Sequence, residues 1–359
     1  MLRSEHAYLN TRLALFSGWM SRPELPSNLI RSDKSQFETL LQQACLPSDM
    51  AGLVSQPATL DRRLHQLLLE EVTLLLRATS GALHEFVVYW LRQYEIMNIK
   101  AVIRARIYGE AEDSEHIELL DLGRFSLLSI ETLLAAEDVN EVLRILEHYG
   151  YRGLAQKARR RYQERQNLFD LEAIIDRQYY AGLIQHFRFL DAEQQKALQP
   201  LIGMLLDRIN LVWLLRYRLN YSMDASHIYY LLAPTGSWLD KSVLMDLVQQ
   251  DTLEDILEQL PQVWQKAVAE STEPQQVENA AERLLQRYTL DLFRQSGNGV
   301  VRLCCYLILR QYQLKQIGII LKGRQLDLDE KLIADAAGLT INLEEDLAAE
   351  EELTKVRTG

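Results

Sequence analysis

A chain of 359 residues that is 48% hydrophobic has enough apolar material for two or three ordinary domains, each with a core of its own. A formal charge of -11 argues against nonspecific attraction to nucleic acid or to an anionic membrane face as a global property. Three cysteines, two of them the adjacent Cys304 and Cys305, are a poor basis for a disulfide framework and point to a reducing compartment.

The opening MLRSEHAYLNTR turns polar before any apolar stretch of useful length develops, so no secretory signal is expected. Beyond it the chain reads almost entirely as helix, with Leu, Gln, Glu, Ala and Arg prominent and apolar residues recurring at three- and four-residue intervals. Breaks or helix starts are expected at Pro47-Ser48-Asp49, Pro234-Thr235-Gly236-Ser237, Pro274 and Gly297-Asn298-Gly299. None of them opens an alternating strand series, so a parallel sheet is hard to build. The longest apolar region, Leu201 to Leu219, is interrupted by Asp207, Arg208, Asn210, Arg216 and Arg218, and no bilayer span is expected from it.

One short pattern occurs three times: Glu95-x-x-Asn98-Ile99, Asp207-x-x-Asn210-Leu211 and Gln313-x-x-Gln316-Ile317. Asn98 and Asn210 are 112 positions apart, and Asn210 and Gln316 are 106. A second landmark precedes each core at a similar distance. It is Glu172-Ala173-Ile174-Ile175-Asp176-Arg177 for the second, Glu282-Arg283-Leu284-Leu285-Gln286-Arg287 for the third, and the weaker Asp61-Arg62-Arg63-Leu64-His65-Gln66 for the first. Two landmarks that keep their separation indicate one supersecondary element used three times. The expectation is an all-α chain of three pseudo-equivalent helical bundles, divided near 1–112, 113–222 and 223–359, each with an entering helix and a later core helix.

On a core helix, Asn98, Ile99 and Val102 share a face with Glu95, and Arg106 returns almost beneath it. The second core repeats this with Asp207, Asn210, Leu211, Leu214 and Arg218, and the third with Gln313, Gln316, Ile317, Ile320 and Arg324. A second cation series, Arg104, Arg216 and Lys322, lies nine residues after each origin and points nearly the opposite way. Two roles are open to these groups. They can bond to neighbouring helices or backbone and fix how each bundle closes, or they can line a shared surface that touches a partner. Catalysis is less attractive, because no His, Cys or Lys is repeated beside Glu95 and Asp207 to make a proton-transfer pair.

Seven histidines, His6, His65, His84, His116, His148, His186 and His227, contain no i, i+4 pair, so no metal site is expected. Cys304-Cys305 sits in an apolar run and reads as two small buried thiols. The richest cationic region is Arg152, Lys157, Arg159-Arg160-Arg161 and Arg165, with Tyr151 and Tyr162 interspersed. A solvated helix face and a surface for an acidic protein both fit it, and the overall charge counts against nucleic acid. Acidic stretches occur at Glu110 to Glu115, Glu344 to Asp346 and Glu350 to Glu352, where attraction for a basic partner helix is conceivable. Tyr89-Trp90, Tyr94, Trp213, Tyr217, Tyr221, Tyr229-Tyr230, Trp238 and Tyr312 crowd the core helices and their exits, as packing groups or as anchors for a partner.

At these landmarks the sequence resembles the C/d family of central-stalk subunits of V-type and archaeal-type (A-type) rotary ATPases. The resemblance rests on Glu95 to Arg104, Asp207 to Arg216, the third form ending Ile320-Leu321-Lys322-Gly323, and the opening Tyr8-Leu9-Asn10-Thr11-Arg12, and it runs through essentially the whole chain. It implies three helical domains arranged as a funnel with a central cavity. It also implies a non-catalytic adapter at the cytoplasmic face that joins D/F-type rotor-shaft subunits to the membrane proteolipid ring, with no cofactor, no nucleic acid and no direct nucleotide binding. Gln313 in place of an acid and Lys322 in place of arginine depart from the first two copies. A helical adapter of another assembly would keep the repeats without either contact, and a helical enzyme would need convergent ionisable groups that the sequence does not display.

Overall fold

The structure is a computed structural model that describes residues 3–22, 24–47, 50, 57–108, 117, 119–165 and 167–339. Among the described residues it is helical, with short 3-10 turns, one π turn and no strand, so the expected all-α class holds. The acidic stretches at Glu110 to Glu115, Glu344 to Asp346 and Glu350 to Glu352, His116, and Ser48-Asp49 of the first expected break lie outside the described residues.

By compactness the chain divides into two units, Met1–Leu13 with His65–Arg310, and Ala14–Leu64 with Gln311–Gly359. The helices, in chain order, begin with α1 (Arg3–Phe16), α2 (Leu25–Arg31), α3 (Lys34–Gln43), α4 (Pro57–Leu76), α5 (Gly81–Leu91) and the first core helix α6 (Gln93–Tyr108). Next come α7 (Ile130–Leu134), α8 (Val139–His148), α9 (Arg152–Arg165), α10 (Leu168–Arg188) and the second core helix α11 (Ala192–Leu215), which ends in a π turn at Arg216–Asn220. The remainder are α12 (Ala225–Leu231), α13 (Lys241–Leu247), α14 (Leu253–Glu258), α15 (Gln262–Val268), α16 (Pro274–Gln295), the third core helix α17 (Gly299–Gln325) and α18 (Glu330–Ala336).

Local chemistry explains the boundaries. Asp138, Asp191, Asp240 and Thr252 accept a backbone N–H three residues on and so cap α8, α11, α13 and α14, and at Asp191 the Gln194 side chain completes a capping box. Pro274 occupies the start of α16, where its missing N–H costs nothing, and Gly297-Asn298 separates α16 from α17. The 234–237 break falls in the connection between α12 and α13.

In the larger unit α10 packs against α5, α6 and α9, α8 lies against α6 and α9, and α11 lies against α16. Aromatic contacts fasten α5 to α10: Tyr89 stacks on His186 at 4.1 Å between ring centroids, and Gly182 leaves the room that Tyr89 fills, since a Cβ there would lie 1.8 Å from its hydroxyl. The Ala192–Asn220 segment is long and apolar enough to cross a membrane by length and composition, but 72% of its apolar window is buried inside the protein. Leu201, Leu206, Leu211, Leu214 and Leu215 are all core residues. In the smaller unit α2 packs against α3 and α18.

Candidate functional site: the polar anchors of three core helices

Glu95 on α6 is completely buried. One carboxylate oxygen accepts the Ser126 hydroxyl at 2.5 Å and the Leu127 and Leu128 N–H groups at 2.7 and 2.8 Å. The other accepts the Tyr151 hydroxyl, which burial and then the Glu95 charge hold well above the usual phenol range, so that it remains a proton donor. Asp207 on α11 is also completely buried and makes the corresponding contact, accepting the Ser237 and Trp238 N–H groups at 3.2 and 2.8 Å on one oxygen and Leu239 N–H at 3.0 Å on the other. Burial pushes its carboxyl above the ordinary range, opposed by those three N–H donors. Gly236 makes the approach possible, because a Cβ there would come within 2.0 Å of the carboxylate. Gln313 on α17 is buried at the third position. The sequence 30 to 33 residues beyond it, which matches these two loops by spacing, lies outside the described residues.

The amides hold a second loop. Asn98 donates to the Leu120 carbonyl at 2.8 Å and accepts Leu120 N–H at 2.9 Å, a closed pair with a residue 22 positions on. Asn210 accepts Ala233 N–H at 2.9 Å and donates toward the Ala233 and Pro234 carbonyls at 3.4 Å. Gln316 donates to the Ala337 carbonyl at 3.2 Å, 21 positions on. An amide carries both a donor and an acceptor, so one side chain can satisfy both halves of an irregular backbone peptide that would otherwise be buried unpaired.

The cation series separate by task. Arg106 donates to the Ala136 and Leu134 carbonyls at 2.6 and 2.8 Å, beyond and at the end of α7. Arg218, inside the π turn, donates to the Gln250 and Met223 carbonyls at 2.8 and 2.9 Å and pairs with Asp251. Arg324 does the same near the end of α2, donating to the Leu29, Ile30 and Ser32 carbonyls at 2.7 to 2.8 Å. In the first two copies the acceptors follow the core helix; in the third they come from the N-terminal part of the chain.

The other series makes ion pairs with entering helices. Arg104 pairs with Glu172 on α10 at 2.5 Å, Arg216 with Glu278 on α16 at 3.0 Å, and Lys322 with Asp61 on α4 at 2.5 Å. Each partner therefore lies on a helix that carries one of the entering landmarks, and Asp61 of the first landmark serves the third core helix. Glu172 and Glu278 each lie 38 positions before Asn210 and Gln316, and Asp61 lies 37 before Asn98. The structural counterpart of Glu172 is thus Glu278, one helical turn before the Glu282 that the sequence landmark suggests. Glu282 matches Asp176 instead, and these two face Arg208 at 3.6 Å and Lys100 at 2.8 Å.

Several anchoring groups are not evident from the sequence. Tyr151, set among cations in the sequence, is buried against Glu95. Arg310 is completely buried on α17 and holds Glu71 of α4 through two bonds of 2.6 and 3.0 Å, and Tyr306 donates to the same carboxylate. A single arginine closing the apolar run Leu303 to Leu309 was the available signal, since a buried guanidinium requires a carboxylate. Cys304 and Cys305 are buried, and burial pushes the Cys305 thiol up to about 12 and Cys304 higher still, so both are protonated thiols rather than nucleophiles. Of the crowded aromatics, Trp90, Tyr94 and Tyr217 are core residues, whereas Tyr221 and Tyr230 are exposed. No group of three His, Cys, Asp or Glu with metal-site geometry occurs among the described residues.

Chemically, the repeated carboxylates and amides accept backbone N–H groups and the repeated arginines donate to carbonyls, an arrangement that fixes loops onto helices. The family model described as ATP synthase (C/AC39) subunit matches residues 9–336. The C subunit of the A-type ATP synthase of Methanosarcina mazei is 26% identical over 340 residues, covering 92% of each chain. Its counterpart in Methanosarcina barkeri is 26% identical over 73% of this chain and 72% of its own, and that of Methanocaldococcus jannaschii is 21% identical over 76% and 69%. The residue 9–336 match takes in all three core helices and their anchors, and the chain belongs to the ATP synthase (C/AC39) subunit family.

Proposed function

We propose that this chain is the non-catalytic central-stalk adapter of a rotary V/A-type ATPase, coupling D/F-type rotor-shaft subunits to the membrane proteolipid ring for proton or sodium transport. The observation that carries this reading is the near full-length match to the C subunits of A-type ATP synthases. The polar groups of the core helices agree with it, since a torque-bearing body needs loops locked to helices more than it needs a reactive pocket. In this reading the chain lies at the cytoplasmic face as a peripheral part of the complex. The three repeats near 1–112, 113–222 and 223–359 form a funnel, and the N-terminal helix α2 supplies the third repeat with the carbonyls that α7 and the α13 exit supply in the others. Its place in the sequence supports this: α2 starts 32 residues before α4, and α13 starts 33 before α16.

Glu95, Asn98, Arg104, Arg106, Asp207, Asn210, Arg216, Arg218, Gln313, Gln316, Lys322 and Arg324 then set the register of each bundle, and the partners meet surfaces that these anchors hold in place. Reconstitution with purified shaft and proteolipid-ring components followed by cross-linking tests the reading. Binding to both is expected, and failure to bind either under native conditions would refute the adapter role.

A further inference from the structure

The cationic run of α9 does not form a uniform solvated face. Arg159 turns away and pairs with Glu147 at 3.2 Å, while Lys157, Arg160, Arg161 and Glu164 line one wall of an open cleft of about 650 Å³ whose other wall is α12, with Ser226, His227 and Tyr230. The three cations lie at helical positions i, i+3 and i+4, so one turn of α9 delivers all of them to the same side.

The floor and rim differ. Arg161 is three-quarters or more covered, with its guanidinium against the buried carboxylate of Asp170 at 3.4 Å, in contact with His227, and reached from the rim by Glu164 at 3.5 Å. Asp170 therefore holds that guanidinium in place from below. At the rim the exposed Lys157 spends its charge on the neutral Gln178 amide at 2.8 Å, and Arg160 pairs with the exposed Glu164 at 3.2 Å. The Ser226 and Tyr230 hydroxyls have no hydrogen-bond partner among the described residues, and one face of the Tyr230 ring is covered by Arg177 at 5.3 Å. An ammonium, two guanidinium groups and two hydroxyls thus line one volume together with a single carboxylate, Glu164, so that cations outnumber the lining acid three to one in a protein whose net charge has the opposite sign.

We infer that the α9–α12 cleft binds a phosphate-bearing anion. Several tetrahedral oxygens can take the arginine forks and the lysine together with the hydroxyls, and the volume suits a small ligand with more than one phosphate. The site does not depend on the adapter role.

Two sources share this chemistry: a soluble polyphosphate and an anionic lipid headgroup. Full-length protein titrated calorimetrically with tripolyphosphate is one arm of the test, and co-sedimentation with phosphatidylglycerol vesicles, against phosphatidylcholine alone, is the other. Saturable binding is expected, falling about tenfold or more in a Lys157→Glu/Arg160→Glu variant and weakening with added salt. Both side chains are exposed, and an unchanged melting temperature verifies that the variant folds. A Ser226→Ala/Tyr230→Phe variant should weaken binding without any change of charge. Tripolyphosphate binding without vesicle binding assigns a soluble ligand, and charge-dependent vesicle binding assigns a headgroup. Absence of binding in both arms, or binding indifferent to both variants, overturns the proposal. So does retention of an acidic helical peptide by a cleft that takes up neither phosphate probe.

Discussion

Glu95 and Asp207 occupy the same repeat position and are equally buried, yet their geometry predicts different responses to loss of charge. Asp207→Asn replaces one of two oxygens that both accept backbone N–H groups. Backbone donors cannot turn away. If the remaining carbonyl keeps Ser237 and Trp238, the new NH2 group faces the Leu239 N–H, and that buried donor is left unpaired at about 1–3 kcal/mol. The two bonds that survive lose charge assistance, which brings the total to about 2–5 kcal/mol. Glu95→Gln can keep its three donors, Ser126, Leu127 and Leu128, on one oxygen, and the new NH2 group then faces only the Tyr151 hydroxyl, which can rotate to accept. Only the charge assistance is lost, about 1–2 kcal/mol. Calorimetric melting of both variants measures the difference, each kcal/mol being worth about 2–4 °C. An Asp207→Asn loss no larger than the Glu95→Gln loss would refute the account of how these carboxylates hold their loops.

Three further outcomes follow from other anchors. Glu71→Gln leaves the completely buried Arg310 without its counter-charge and should cost about 3–5 kcal/mol by melting or urea unfolding, whereas an exposed-pair change such as Glu164→Gln should cost about 1 kcal/mol or less. Arg324→Lys trades a fork that reaches the Leu29, Ile30 and Ser32 carbonyls for a single ammonium. It should speed amide exchange across Leu25–Arg31 while leaving that of α10 unchanged, and equal protection in both helices would contradict it. Burial pushes Asp176 above the ordinary carboxylate range despite its pairing with Lys100, so the folded state holds that proton more tightly than the unfolded chain does. Its contribution to unfolding free energy therefore falls as pH rises from about 3.9 through the raised value and is level above it. The stability gap between wild type and Asp176→Asn, followed by urea titration across that window, should move in favour of the variant as pH rises.

Much of the fold was legible because helices declare themselves locally. The three- and four-residue spacing of apolar positions and the Pro274 and Gly297 punctuation each act within one or two turns, and the helices fall where they indicate. The candidate residues were legible for a related reason: a polar residue recurring on an apolar face must have a partner. Its partner was not legible: Arg310 at the end of an apolar run calls for a carboxylate, but nothing local says that it is Glu71, 239 positions away. Tyr151 was misplaced among surface cations for the same reason, since nothing in the run around it reveals that Glu95, 56 positions away, lies beneath. The entering-helix landmark slipped by one turn because acid, apolar and basic residues repeat every four positions there, and only the ion pairs to Arg104, Arg216 and Lys322 fix the register.

By itself the sequence determined the helical class, the three core helices with their repeated acid or amide, and the family to which the chain belongs, all properties carried by residue type and spacing. Tertiary structure decided what those residues hold. It gave Glu95 and Asp207 to backbone loops and Arg104, Arg216 and Lys322 to carboxylates on α10, α16 and α4. It also brought the carbonyls of α2, 292 to 295 positions away in sequence, to Arg324. The physical reason is that burial creates the demand for a hydrogen-bond partner along the helix, whereas the packing of distant segments determines which group meets it.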